Sequence, residues 1–153
     1  MSVMQFSRKI AADTHTAWSV ITDLDGAEAR ITAIKKMEIL TAGEFGVGTR
    51  FRETRVMMGR EAIEEMEVVE FDPPRSYVVA AHSCGSEYRT TMYVKPDGDG
   101  AVVGMDFQST PVTLLAKCMG FMIFLMAGPM KKMIESDFDD IQKACESRAM
   151  ESA

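Results

Sequence analysis

The sequence predicts an α+β fold in which one antiparallel sheet of seven strands precedes a long C-terminal helix. Three observations support this prediction. Strand-like segments follow one another from about residue 33 to residue 110, separated by turn sequences such as GR, DPPR and PDGDG. Helical periodicity then runs from about Pro111 to about Met150. A helix pair, in ADTHTAWSVITDL and DGAEAR, directly follows a first strand in VMQFSRKIAA.

The predicted order of elements is β–αα–β–β–β–β–β–β–α, which we assign to one domain over residues 1–153. Asp13 or Thr14 is the predicted N-cap of the first helix, because a short side-chain oxygen there can accept a hydrogen bond from the first helical turn. The second strand lies in AIKKMEIL. TRFRETRVMM and EAIEEMEVVEF form a hairpin across GR, SYVVAAHS and EYRTTMYVK form the next one, and AVVGMDFQST is the last strand.

The composition is that of a globular protein and excludes several functions. Apolar residues make up 46% of the chain, and 17 basic against 23 acidic residues give a net charge of −6. No basic cluster is present, so we expect no nucleic-acid partner. The three cysteines are far apart and match neither a metal-binding spacing nor a disulfide framework. We therefore expect reduced thiols, no metal and no cofactor. MSVMQFSRKI lacks the apolar core of a signal peptide, and a cytoplasmic location is expected.

The most apolar stretch is CMGFMIFLMAGPM, residues 118–130. Lys117 and Lys131 bound it and leave 13 residues between them, whereas a membrane span needs about 20. We therefore predict no integral membrane span. Gly128-Pro129 is expected to kink or break the helix, which would then be interrupted near Pro129. A helix that is apolar on all sides must be covered by protein or by a ligand.

The segment that follows has the pattern of an amphipathic helix. In MKKMIESDFDDIQKACESRAM, apolar residues recur every three or four positions and charged residues fill the other face. The apolar stripe consists of Met130, Ile134, Phe138, Ile141 and Cys145. This spacing predicts one buried side facing the sheet.

The motifs IAADTHTAWSVITDLDG, GVGTRF and VVEFDPPRSY, followed by the long helix, cover nearly the whole chain. In this order they resemble the START-like, or SRPBCC, helix-grip superfamily, which includes polyketide cyclases and dehydrases, pollen-allergen-like proteins and lipid-transfer domains. The resemblance implies a curved sheet wrapped around the C-terminal helix, with an apolar cavity between them. That superfamily contains enzymes, carriers and co-chaperone-like modules, so the fold alone does not determine the function.

Hairpin geometry assigns side chains to the two faces of the sheet. A two-residue loop at Gly59-Arg60 would pair Phe51 with Val68, Glu53 with Met66 and Arg55 with Glu64. Four-residue loops at FDPP and DGDG would pair Met66 with Val79, Met92 with Met105 and Thr90 with Phe107. The predicted concave face also includes Met57 and Val103, whereas Arg52, Glu67, His82 and Arg89 face the other way. A shift of one residue would reverse a face.

The candidate ligand-binding residues follow from this assignment. Those of the sheet are Phe51, Glu53, Arg55, Glu64, Met66, Val68, Val79, Tyr88, Met92, Met105 and Phe107, and the apolar run adds Met122 and Met126. Methionine accounts for 14 of 153 residues, and its flexible thioether suits both a surface that adapts to varied ligands and plain core filling.

The charged members of this face carry the candidate chemistry. Arg55 could hold a carboxylate or a phenolate, and the pair Glu53 and Glu64 could act in acid–base chemistry. The alternative is an ion-pair cluster at the open end of the sheet, in water. His15 and His82 are expected to be exposed, and no Ser–His–Asp or Cys–His arrangement can be argued.

Three functions follow as hypotheses. The first is binding or transport of a small hydrophobic or amphipathic molecule, such as a lipid, a fatty acid or a polyketide-like aromatic, without catalysis. The second is a cyclase- or dehydrase-type enzyme that uses a carboxylate–arginine pair. The third is a co-chaperone-like module that binds another protein through an exposed apolar patch. The identity of the ligand and the oligomeric state stay open.

Overall fold

The computed structural model describes residues 2–57, 59–83, 85–118 and 120–151, without the side chains of Ser2, Ala116, Cys118 and residues 120–127. Its sheet has seven antiparallel strands in the order β1-β7-β6-β5-β4-β3-β2. The strands are β1 (Ser2–Ile10), β2 (Ile34–Ile39), β3 (Arg50–Met57), β4 (Arg60–Asp72), β5 (Ser76–Ser83), β6 (Ser86–Asp97) and β7 (Gly100–Pro111). The helices are α1 (Thr14–Ile21), α2 (Ala27–Arg30), α3 (Leu114–Cys118) and α4 (Gly120–Glu151). The predicted α+β, helix-grip architecture is confirmed.

The first helix begins where its sequence predicts. Asp13 is the N-cap, and its Oδ1 accepts a hydrogen bond of 2.7 Å from the backbone N–H of Thr16. This contact satisfies one of the donors that a helix start leaves unpaired. The helix then places Ala17, Val20 and Ile21 against the core.

The core lies between the concave face of the sheet and the C-terminal part of α4. Ile134, Phe138 and Cys145 of the helix are buried together with Val68 and Val103 of the sheet. Polar contacts attach α4 to both sides of the sheet: Arg8 Nη1 to Asp139 Oδ1 (2.6 Å), Ala11 N to Glu146 Oε2 (2.9 Å) and Thr32 N to Asp140 Oδ2 (2.9 Å). The sheet thus encloses the helix between its two edges.

The β3–β4 hairpin differs from its predicted register by two residues. Phe51 pairs with Met66 rather than with Val68, and Met57 pairs with Arg60. Gly59 therefore lies inside the turn, at φ 78°, a backbone conformation that glycine adopts without steric cost. Because side chains alternate with a period of two, a two-residue shift changes the partners and keeps every face assignment.

The β4–β5 connection also differs from the prediction. Met66 pairs with Ala81 and Val68 with Val79, after which the register shifts by one residue before Glu70. This irregularity turns Phe71 toward the same side as Val68, where Phe71 packs against the core. By contrast, the predicted pairing of Met92 with Met105 and of Thr90 with Phe107 is confirmed.

The predicted interruption at Pro129 is wrong, because α4 continues through this residue from Gly120 to Glu151. A proline removes one helical hydrogen bond, and Gly128 and Pro129 are exposed, where water can bond the carbonyl that is left. The predicted ligand-lining residues Met122 and Met126 belong to α4, and their side chains lie outside the described ones. Among the helices as described, none is both long and apolar enough to cross a membrane.

Replacing Phe138 with alanine should lower the free energy of unfolding by about 3–5 kcal/mol, because the ring is buried at the contact of α4 with the sheet. Urea unfolding followed by circular dichroism measures this change. Ile63→Ala is the matched control, since Ile63 is 65% exposed on the convex face and its truncation should cost under about 1 kcal/mol. Equal losses in the two variants would contradict this description of the core.

Candidate functional site

The strand register arranges the concave face in rows that run across the sheet. Side chains directly opposite each other on neighbouring strands form each row. The rows are Tyr77, Met92, Met105 and Phe6; then Val68, Val79, Thr90 and Phe107; then Phe51, Met66, Ala81 and Tyr88. The next row is polar, with Glu53 opposite Glu64 and Ser83 opposite Ser86. The face therefore changes from apolar to polar along its strands.

Aromatic rings close the apolar end of this face. Phe45 lies 5.0 Å from Tyr77 and 5.7 Å from Phe71, and Trp18 lies 5.9 Å from Phe71, all measured between ring centroids. The buried Tyr77 hydroxyl donates a hydrogen bond of 2.8 Å to the carbonyl oxygen of Ile21. Burial raises the pKa of Tyr77 well above its usual value. This end is fixed by packing and is structural.

The concave face is less completely covered away from these aromatic rings. Met66, Met105, Tyr88 and Phe107 are only half-buried, whereas Val68 and Val103 are fully buried. The rings of Tyr88 and Phe107 stack at 5.6 Å with an angle of 27° between their planes. Two stacked rings and two flexible thioethers thus form a half-buried apolar surface, and Met66 and Tyr88 lie in the row next to the polar row.

A buried charge cluster begins where the apolar surface ends. Arg55 Nε lies 2.5 Å from Glu53 Oε1, and Arg55 Nη1 lies 2.6 Å from Asp137 Oδ2. The three side chains are 15%, 14% and 13% exposed, so these contacts are not surface ion pairs. Burial by itself lowers the pKa of Arg55, but the negative charges of Glu53 and Asp137 outweigh it, and the net pKa is raised. Arg55 joins strand β3 to helix α4.

The fourth member of the cluster is Glu64. It lies directly across from Glu53, so two carboxylates face each other on adjacent strands. Burial raises the pKa of Glu64, the charge of Glu53 raises it further, and Arg55 opposes both effects without reversing them. The predicted pairing of Arg55 with Glu64 is wrong, because the turn at Gly59 places Ala62 opposite Arg55.

Asp137 is the residue that sequence reasoning missed. Burial raises its pKa, and the ion pair with Arg55 only partly offsets this. Its second oxygen, Oδ1, is buried and has no hydrogen-bond partner within the described part of the chain. A signal was present, since Asp137 follows Ile134 by three residues and precedes Ile141 by four. It therefore belongs to the buried stripe of α4.

The charge balance of the cluster limits what it can bind. Three carboxylates, those of Glu53, Glu64 and Asp137, surround one guanidinium, and the negative charge is in excess unless a proton is shared. Two of the N–H groups of Arg55 already bond carboxylates. This geometry weakens the hypothesis that Arg55 holds a carboxylate or a phenolate. It favours a partner that donates hydrogen bonds or carries positive charge.

Eleven of the predicted site residues share the concave face. They are Phe51, Glu53, Arg55, Glu64, Met66, Val68, Val79, Tyr88, Met92, Met105 and Phe107. Val68 and Val79 lie deep in the core, whereas Tyr88, Phe107, Met66 and Met105 are nearer the surface. The structure therefore separates core residues from those that a ligand could reach.

The remaining candidate groups lie away from this site. His15 is exposed on α1, and His82 is exposed on the convex face with Nε2 3.6 Å from Glu87 Oε1. Cys145 is fully buried, and burial raises the pKa of its thiol to about 11, so the reactive thiolate is suppressed. Both histidines are exposed, as predicted.

Replacing Arg55 with methionine should destabilise the fold by about 3–5 kcal/mol, because Glu53 and Asp137 would keep buried charges without a partner. Arg52→Met is the control on the same strand. Arg52 bonds Glu65 at 2.7 Å on the convex face, where both side chains are well exposed, and its loss should cost under about 1 kcal/mol. Chemical unfolding of both variants measures these changes. A loss of less than about 1 kcal/mol in the free energy of unfolding for Arg55→Met would show that water solvates the cluster.

Replacing Glu64 with glutamine should stabilise the folded state at neutral pH by a few tenths to about 1 kcal/mol, because it removes a like charge across from Glu53. The raised pKa means that the folded chain binds this proton more tightly than the unfolded chain. The wild-type protein therefore loses stability as the pH rises from the usual glutamate range through the folded-state pKa, and the variant does not.

Unfolding free energies measured from about pH 3 to about pH 8 should show this difference growing as the pH rises. Glu67→Gln is the matched control, since Glu67 lies on the same strand, on the exposed face, 3.8 Å from Arg50. If Glu64→Gln raised the free energy of unfolding by the same amount at every pH, like-charge repulsion would not be its cause.

Comparison with solved structures shows the same fold across almost the whole chain. A Thermus thermophilus protein matches with a TM-score of 0.80 and 19% identity, over 97% of this chain and 99% of that one. Norcoclaurine synthase from Thalictrum flavum, solved with dopamine and hydroxybenzaldehyde, matches with a TM-score of 0.70 and 21% identity, over 93% and 84%. A START superfamily protein from Mycobacterium smegmatis matches with a TM-score of 0.67 and 18% identity, over 99% of both chains. These identities establish the fold alone.

The family is established at the level of sequence. No curated protein matches the chain. The family model described as polyketide cyclase / dehydrase and lipid transport matches residues 1–146, nearly the full length. Together with the sheet that grips α4, this match confirms the resemblance to the START-like superfamily, and the chain belongs to the polyketide cyclase / dehydrase and lipid transport family.

Proposed function

We propose that this protein binds a small, mainly apolar molecule on the concave face between the sheet and α4. The observation that carries the proposal is the half-buried surface of Met66, Met105, Tyr88 and Phe107, next to buried core residues such as Val68 and Val103. Apolar surface of this kind gains free energy when a ligand covers it. The family description includes lipid transport, and the related norcoclaurine synthase was solved with two small aromatic molecules, which supports a ligand of this size.

The polar end of the site favours a particular class of head group. Glu53, Glu64 and Asp137 outnumber Arg55, so a ligand carboxylate there would meet excess negative charge. A hydroxyl or an ammonium group would instead donate to carboxylate oxygens. We therefore propose an amphipathic ligand whose polar group is a hydrogen-bond donor, such as an alcohol, a phenol or an amine, rather than a fatty acid.

The methionines suit ligands of more than one shape. Met66 and Met105 are half-buried, and Met92, opposite Met105 on the neighbouring strand, is buried in the core. Unbranched thioether side chains change rotamer at low cost and contact aromatic rings favourably. We infer a site that tolerates variation in the apolar part of the ligand and selects on its polar part.

A series of ten-carbon probes tests this proposal. Decylamine, decanol and decanoic acid share one tail and differ only in the head group. Calorimetric titration should show decylamine binding about ten-fold more tightly than decanoic acid, because a hydrogen bond to a charged group contributes about 1.5 kcal/mol or more. Phe107→Ala should weaken the binding of all three probes to a similar extent, since Phe107 contacts the tail.

Glu64→Gln separates the head group from the tail. It should reduce the preference for the amine and leave decanol binding nearly unchanged, because only one negative charge is lost. Ile63→Gln, at the neighbouring position on the convex face, is the control and should change none of the affinities. Tightest binding of decanoic acid would overturn the proposed head-group class, and no binding of any probe would overturn the site itself.

The second candidate function is acid–base catalysis by Glu64. The observation that favours it is a carboxyl group with a raised pKa, beside an apolar surface and near Arg55. A carboxyl group with a raised pKa keeps its proton to a higher pH than an ordinary glutamate and can donate that proton to a bound molecule. Carboxyl-carbon NMR titration of Glu64 tests this, and a midpoint at or below the usual glutamate value of about 4.3 would exclude the role.

A further inference from the structure

Three large apolar side chains are exposed to solvent at the start of helix α3 (Leu114–Cys118) and just before it. Leu114 is 79% exposed, Leu115 is 72% exposed and Val112 is 51% exposed. Scattered single apolar residues are ordinary on a protein surface, but three within four positions form a local patch. We refer to Val112, Leu114 and Leu115 as the apolar patch.

The apolar patch is held in place by the backbone of the β5–β6 turn. The N–H groups of Val112 and Thr113 both donate to the carbonyl oxygen of Gly85, at 2.9 Å and 3.1 Å. Lys117 N donates to Thr113 O at 3.0 Å and closes the first helical turn. The backbone that leads into α3 is therefore hydrogen-bonded to the β5–β6 turn, and the two leucines at the start of this helix are exposed in the folded structure.

The segment that carries the patch and the start of α4 have charged residues of one sign. Residues 111–134 contain Lys117, Lys131 and Lys132 and no Asp or Glu, although the chain as a whole has 23 acidic residues. All three lysines are exposed. The remaining chain then has 14 basic residues against these 23, a net charge of −9. The nearest acidic residue by strand register is Glu87, opposite Thr110, and it lies 3.6 Å from His82 on the convex face. An anionic surface would repel most of this protein and attract this segment.

We propose that the apolar patch docks the protein on the surface of an anionic lipid bilayer. Exposed leucines enter the boundary between head groups and acyl chains, while lysines beside them extend to the phosphates. A protein partner fits less well, because lysine is depleted in protein interfaces relative to the rest of the surface. The contact is peripheral, since the leucines of one short helix reach only the outer part of the bilayer.

The patch adjoins the half-buried end of the concave face. Strand β7 ends at Pro111, opposite Ser86, and Tyr88 pairs with Ser109 two residues before. Docking through α3 therefore brings the stacked pair Tyr88 and Phe107 toward the bilayer rather than away from it. The docking proposal does not require the ligand-binding proposal, because the test below contains no ligand other than the bilayer lipids.

Vesicle co-sedimentation of the full-length protein tests the proposal. One set of vesicles is phosphatidylcholine alone, and the other contains phosphatidylcholine with about 30% phosphatidylglycerol, a composition that gives an anionic surface. Wild type should bind the anionic vesicles at least about ten-fold more tightly than the neutral ones, and added salt should weaken this binding. Lys117→Gln should weaken it by about five-fold, the factor that corresponds to about 1 kcal/mol per lysine.

The double variant Leu114→Ser/Leu115→Ser should weaken binding to anionic vesicles by more than about ten-fold, because it removes the apolar insertion without changing the charge. Ile63→Ser is the matched control, since Ile63 is 65% exposed on the convex face, and its binding should equal that of wild type. Circular dichroism checks that all variants keep the fold.

Four results would overturn the proposal. The first is absence of wild-type binding to anionic vesicles. The second is an equal loss of binding for Ile63→Ser and the double variant. The third is equal wild-type binding to anionic and neutral vesicles. The fourth is a dimer in gel filtration that the double variant abolishes while vesicle binding is unchanged, which would assign the patch to a second copy of the chain.

Discussion

The ion pair between Arg55 and Asp137 is the contact on which the rest of the site depends. It joins strand β3, two residues before the end of the strand, to helix α4, and the side chains of Arg55 and Asp137 are both largely buried. A buried guanidinium cannot lose its charge, so the carboxylates around it are required for folding as well as available for function. This contact adds to the core packing and the edge contacts that hold α4 over the sheet, and the same guanidinium pairs with Glu53 and acts on the pKa of Glu64.

The excess of carboxylates over cations then determines the chemistry that the site can support. A cluster built only for stability would be expected to balance its charges, since an unbalanced buried charge costs free energy. Here Glu64 lies across from Glu53, and Asp137 has a second oxygen without a partner among the described residues. Departures of this kind from the most stable arrangement are common at functional sites, where stability is lost in exchange for binding or catalysis. Both the ligand-binding and the acid–base hypotheses therefore involve this cluster. They differ in whether Glu64 transfers a proton to the bound molecule.

Much of this arrangement can be predicted from the sequence, and the failures have physical causes. The predicted faces of Glu53, Met66 and Phe107 are correct because strand alternation is insensitive to a two-residue shift. The partners are partly wrong because Gly59, with its positive φ, lies inside the turn and not at its first position. The shift before Glu70 cannot be foreseen, since a bulge leaves no fixed pattern in one sequence. Asp137 is missed because a charged residue is expected on the outer face of the helix. Its spacing from Ile134 nevertheless places it on the buried face.

The closed aromatic end of the concave face gives the site a direction. Trp18, Phe45, Phe71 and Tyr77 seal one end, and the polar row with Arg55 and Glu64 lies toward the other. On the proposed function, a bound molecule would direct its apolar part toward this packed end and its polar part toward the carboxylates. Successive rows along a strand are about 6.7 Å apart, so the three steps from the row of Tyr77 to the row of Ser83 span about 20 Å. Because packed core side chains fill the aromatic end, a ligand in the proposed site would have to be shorter than this distance, and its polar group would determine its orientation.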